Sequence, residues 1–153
     1  MQIQDYSPKI IICSGVTAGM EICLETTARN MVDAPVPYNC GTILHMQKLE
    51  NIKRMKLYTR LPVNELNYIL MKQQIPVRIS HDAGLFGCNQ IFFHLMSILT
   101  RNNLGAIGGF IHVPGSIWSL EQLIKAFQLI ITTIIKLEYP ASRFDTNAST
   151  SPT

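Results

Sequence analysis

Apolar positions along this chain fall into short runs whose spacing alternates between strand-like and helix-like periods. Lys9-Ile10-Ile11-Ile12-Cys13 is a β-branched run that ends at Ser14-Gly15, the pattern of a strand buried on both faces and feeding a loop. Segment 33–41 holds Pro35, Pro37 and Gly41 and predicts a surface connection rather than a helix. From Thr42 to Arg60 the basic residues Lys48, Lys53, Arg54, Lys56 and Arg60 mingle with Leu and Ile without a clean period. That stretch predicts a solvated, mostly helical or irregular segment, with an anionic-ligand patch as the alternative.

The second half is more regular. Val63, Leu66, Leu70 and Met71 recur at helical steps after Pro62 and stop at Ile75-Pro76, so the spacing predicts a helix there. Val77-Arg78-Ile79-Ser80 alternates as a short strand, and a loop over 82–87 follows. Ile91, Phe92, Leu95, Met96 and Leu99 then lie along one face of a helix over 89–99, ended by Arg101-Asn102-Asn103. Residues 106–113 read as a second buried strand closed by Pro114, and Ser119-Leu120-Glu121-Gln122 matches a capping box opening an apolar helix to about Leu137. Strands alternating with helices predict an α/β sheet with helices on both faces.

Composition sets outer limits on this picture. With 153 residues, 47% of them hydrophobic and 15% charged, the chain suits one domain over 1–140, and the Ser, Thr, Asn and Pro of 141–153 predict a disordered polar tail. A net charge of +3 gives no argument for a nucleic-acid partner. The apolar runs fall well short of the ~18 residues of a membrane span, and Asp5 stands where a signal peptide would be basic. A cytoplasmic protein is expected. Cys13, Cys23, Cys40 and Cys88 have no zinc-ligand spacing, so reduced thiols and no metal are expected.

Chemistry concentrates in three places. Cys88 directly precedes the expected helix, where unpaired N–H groups and the helix dipole favour a thiolate, while Gly84 and Gly87 would admit a substrate close to the backbone. A structural cysteine is the competing reading. His112 lies at the C-terminal end of the strand over 106–113, either facing the same crevice or held as a core histidine. Glu25, an acid within Ile22-Cys23-Leu24-Glu25, is the candidate that would orient an imidazole.

These residues resemble a known family. Ser80-His81-Asp82-Ala83-Gly84-Leu85-Phe86-Gly87-Cys88-Asn89 looks like the A-G-T-F-V-C-N nucleophile motif of type I pyroglutamyl peptidases. Gly109-Phe110-Ile111-His112-Val113-Pro114 is similar to their F-I-H-V-P motif, and Leu24-Glu25 with Ala28, Asn30, Asp33, Ala34, Pro37 and Asn39 resembles their E-R-x-A-x-N and D-A-x-x-P-x-N segments. The resemblance runs from about Ser7 to Leu137. It implies a three-layer α/β/α sandwich with a mostly parallel or mixed central sheet, lacking the family's N-terminal strand segment. It further implies a cysteine exopeptidase acting on peptides with an N-terminal pyroglutamyl residue, with no cofactor. Cys88 would be the nucleophile, His112 the base and then the acid, and Glu25 the orienter. Leu85, Phe86 and Gly87 would line the lactam pocket. A catalytically weak or inactive shortened relative, acting if at all as a binding protein, is the alternative, and a homo-oligomer is compatible with either.

Overall fold

A computed structural model of the chain describes residues 7–34, 36–37, 41–115 and 118–140. The expected tail over 141–153 lies outside the described residues, as do Pro35, Asn39 and Cys40 of the expected surface connection. The first strand, β1 (Ile10–Thr17), runs parallel to β6 (Ile107–Pro114) over its whole length, from Ile10 opposite Ile107 to Thr17 opposite Pro114. It continues through Ser14-Gly15, where the sequence predicts an exit to a loop, because β6 offers each of those residues a ladder partner.

On the other edge of β6 lies β2 (Ile22–Glu25), antiparallel to it and parallel to β5 (Val77–Ser80), giving the order β1-β6-β2-β5. All four β2 residues are buried, although the segment is short and ends on an acid that masks the strand pattern. A separate antiparallel pair joins β3 (Thr27–Arg29) to β4 (Lys56–Tyr58). β4 falls in the stretch expected to be mostly helical or irregular; among the described residues that stretch forms no helix. Buried Asn30 pins it instead, donating through Nδ2 to the Glu50 and Arg54 carbonyls and accepting from the Glu50 N–H.

Among the described residues, three helices complete the layers: α1 (Val63–Lys72), α2 (Gly87–Arg101) and α3 (Leu120–Glu138). The capping box is present as predicted. The Gln122 N–H donates to Ser119 Oγ, and the Ser119 N–H donates to Gln122 Oε1. α2 starts earlier than the periodicity suggests, so Cys88 stands within the first turn rather than before the helix. Ile91 faces solvent, and Phe93 takes a place on the buried face instead.

Strand alternation sorts the core into two halves. Ile107 and Ile111 of β6 and Ile22 and Leu24 of β2 join Leu66, Leu70, Ile130 and Ile134 of α1 and α3. Phe110 faces the other way, into Phe92, Phe93, Leu95, Met96 and Leu99 of α2. Two elements approach β6 closely where it carries Gly108 and Gly109: a Cβ at the first would collide with Leu99 of α2, and at the second with Thr59 and Leu61 of the segment leading into α1. The result is a three-layer α/β/α sandwich around a mixed, largely parallel sheet. Leu99 is fully buried against this glycine, so Leu99→Ala is expected to cost about 2–5 kcal/mol, read as a lower midpoint in urea unfolding. Ser119→Ala, which removes the α3 cap, should cost about 1 kcal/mol in the same measurement.

Candidate active site

The parity of two strands brings the first two candidate residues together. Cys23 pairs with His112 and Glu25 with Phe110 across the β2–β6 ladder, so Glu25 and His112 project from the α2 face and lie diagonally across adjacent strands. His112 Nδ1 stands 2.8 Å from Glu25 Oε1, with side-chain exposures of 12% and 2% respectively. An ionised carboxylate only accepts hydrogen bonds, so Nδ1 is the donor and Nε2 carries the lone pair when the ring is neutral. Phe110 meets the imidazole edge-on, with ring centroids 5.0 Å apart. The second carboxylate oxygen, Glu25 Oε2, is buried without a hydrogen-bond partner among the described residues.

Cys88 arrives from the opposite direction, on the first turn of α2. Its Sγ lies over Gly15 of β1, which is the ladder partner of His112. The sequence predicts a lowered thiol pKa at this helix end, and the structure differs. Burial and the negative charge of Glu25 push the Cys88 thiol above its ordinary value, so the resting group is the neutral thiol. A sulfur in this setting depends on a neighbouring base to become a nucleophile.

The loop that presents Cys88 is tied to β3 and to the chain beyond it. Buried Asn89 accepts from the Arg29 N–H at 2.8 Å and donates through Nδ2 to the Arg29 and Met31 carbonyls at 2.9 and 2.8 Å. The Asp33 N–H donates to the Leu85 carbonyl, and Arg29 pairs with Asp82 at 3.1 Å. Gly84 adopts a φ of +78°, which a side chain would strain, and its N–H donates to Asp82 Oδ1. Leu85 and Gly87 are half-buried, and Phe86, at the N-cap of α2, is exposed. Sequence reasoning assigned no role to Asn89. Its signal is a poor helix former within an apolar face, directly after the cysteine.

Two other features sit apart from this site. An apolar-floored cleft lined by Ile52, Lys53, Arg54, Leu57, Ser97, Thr100 and Arg101 lies at the C-terminal end of α2, the far end from Cys88. Among the described residues, no three His, Cys, Asp or Glu side chains gather into a metal-binding group, and no helix is long and apolar enough to cross a membrane.

A mixed α/β/α sandwich with a buried imidazole–carboxylate pair, close to a cysteine on a helix N-terminus, defines a class of domain suited to thiol-based acyl transfer. Residues 1–133 match the family model for pyroglutamyl peptidase. The chain is 33% identical over 143 residues to the pyrrolidone-carboxylate peptidase of Brachyspira hyodysenteriae, an alignment covering 86% of this chain and 71% of that protein. It is 36% identical over 113 residues to that of Bacillus subtilis, covering 73% of this chain and 53% of the relative. The crystal structure of pyroglutamyl peptidase I from Bacillus amyloliquefaciens superposes with a TM-score of 0.81 at 30% identity, over 86% of this chain and 68% of that one. Pyrrolidone carboxyl peptidase from Thermococcus litoralis gives 0.84 at 25% identity, over 99% and 74%. The chain belongs to the pyroglutamyl peptidase family of cysteine peptidases. It spans about half the length of the Bacillus subtilis relative.

Replacing Asn89 by Ala strands one N–H and two carbonyls, and a loss of about 1–3 kcal/mol is expected in denaturant unfolding. The thiols set a pH dependence. Burial raises Cys13 and Cys23 as well as Cys88 in the folded state. Their contribution to stability is complete below the unfolded thiol value of about 8.5 and is lost as pH rises through the raised folded values. The urea midpoint should therefore fall between neutral pH and about pH 10, and fall less steeply in Cys88→Ala.

Proposed function

We propose that this protein hydrolyses the N-terminal pyroglutamyl residue from peptides, with Cys88 as nucleophile, His112 as general base and then acid, and Glu25 as the group that orients the imidazole. The observation that carries this reading is the 2.8 Å bond between His112 Nδ1 and buried Glu25 Oε1, on the same face of the sheet as the helix that bears Cys88. Family membership and the resemblance of the motifs around the three residues support the substrate class.

The chemistry follows from the geometry. With its Nδ1 proton donated to Glu25, His112 offers Nε2 to remove the proton from the Cys88 thiol, which at neutral pH does not ionise unaided. The sulfur bonds to the pyroglutamyl carbonyl carbon, and the oxygen takes on negative charge near the backbone N–H groups at the start of α2. Collapse breaks the C–N bond to the next residue, whose amine takes the proton from Nε2. Water, deprotonated by the same nitrogen, then releases pyroglutamate from the thioester and restores the thiol. No step draws on a metal or cofactor. In this reading Leu85, Phe86 and Gly87, immediately before the nucleophile, line the ring's pocket. A thiol nucleophile needs a reducing compartment, which suits a cytoplasmic protein.

Purified protein should release a fluorophore from a pyroglutamyl amide. Cys88→Ala should abolish turnover, His112→Ala should lower it by roughly 10³–10⁴-fold, and Glu25→Gln should lower kcat by up to about 10⁴-fold. Absence of turnover from protein verified as folded by circular dichroism overturns the proposal.

A further inference from the structure

Gly15 lies outside the set of residues assigned above, yet the cysteine sulfur sits over it. It is the ladder partner of His112 in the parallel β1–β6 pair, so its missing side chain leaves a notch on the α2 face about one strand spacing, ~4.8 Å, from the base of the imidazole. A Cβ built at Gly15 would stand 2.7 Å from Cys88 Sγ and 3.0 Å from Phe110 Cζ. The sulfur thus occupies the space that any other residue at position 15 would fill. Phe110 forms one wall of that space and packs edge-on against His112.

We infer that Gly15 is a positioning residue: its lack of a side chain sets the seat of the Cys88 sulfur beside His112. This rests on the proposed roles of Cys88 and His112. The two close atoms respond differently to an added methyl. Phe110 is fully buried in the α2 half of the core and has little room to retreat. Cys88 Sγ moves on a single torsion, and one rotamer step carries it out of the notch. The cheapest relief of the clash therefore displaces the nucleophile and leaves the fold in place. A misplacement on the order of 1 Å in a reacting group costs about 100-fold in rate.

The test compares Gly15→Ala with the wild type and with Gly105→Ala, where a Cβ meets nothing within 4 Å. Expected for Gly15→Ala is a kcat lower by about 100-fold on a pyroglutamyl amide, with KM within about threefold and the unfolding temperature within about 3 °C of wild type. Gly105→Ala should match wild type. The second readout is the pH profile of Cys88 alkylation by iodoacetamide. In the wild type it should contain a step that His112→Ala removes, and Gly15→Ala should lose that step as well. Unchanged kcat and an unchanged alkylation profile in Gly15→Ala overturn the inference.

If the wild type alkylates with the His112-dependent step but turns over no pyroglutamyl amide, the substrate reading fails, while the profile of Gly15→Ala still decides the positioning role. A wild-type profile with no such step overturns the role of Gly15 itself. Should Gly15→Ala fail to fold, Gly15→Ala combined with Cys88→Ala separates the two contacts. Recovery of folding in the double variant identifies the sulfur as the clashing atom and supports the inference; continued failure identifies Phe110 and overturns it.

Discussion

β6 has a strand on each edge and a helix layer on each face, and the alternation of its side chains organises everything else. Ile107 and Ile111 commit one face to α1 and α3, and Phe110 commits the other to α2. Because Phe110 faces α2, so does His112. The glycine pair Gly108-Gly109 lets α2 close on one side of the strand and the segment leading into α1 on the other. A one-residue slip of β6 would place His112 among the aliphatic side chains of α1 and α3 and move it away from Glu25. The core and the candidate site therefore depend on the same register.

Within that frame the dominant electrostatic feature is a buried acid. Glu25 is removed from water with one oxygen on His112 and the other without a partner among the described residues. Burying a carboxylate this way is costly and adds little to stability. Its effect is local: it accepts the bond from His112 Nδ1, and its charge adds to burial in raising the nearby thiol. Burial works against the helix N-terminus at Cys88, and the thiol is pushed up. In the proposed reaction the proton passes from a neutral thiol to the imidazole, and the helix end acts on the charge that develops on substrate.

Parts of this could be read directly from the residues. Val77–Ser80 alternates as a strand and forms one, and the Ser119–Gln122 cap is written in four consecutive residues. β2 and β4 were not legible, because strands of four and three residues, containing a cysteine, an acid or flanking charge, carry too few positions to show a period. The apolar periodicity puts Cys88 just before α2, yet the helix begins at Gly87, because periodicity marks the buried face and not the first turn. Asn89 was hidden for a different reason: its three hydrogen bonds run to backbone groups some sixty residues earlier in the chain.

The sequence by itself determined the succession of β1, α1, β5, α2, β6 and α3, the α/β class, the family resemblance and the identity of the three chemically capable residues. All of these rest on local spacing and short motifs. Only the tertiary structure decided that β2 lies antiparallel against β6, which sets Glu25 against a histidine 87 positions away. The parallel register of β1 likewise puts Gly15 beneath the sulfur of Cys88. Those relations belong to ladder register and side-chain parity, which arise when distant segments pair and which no local pattern encodes. The same is true of the thiol's protonation, since the burial and the carboxylate charge that raise it come from elements far apart along the chain.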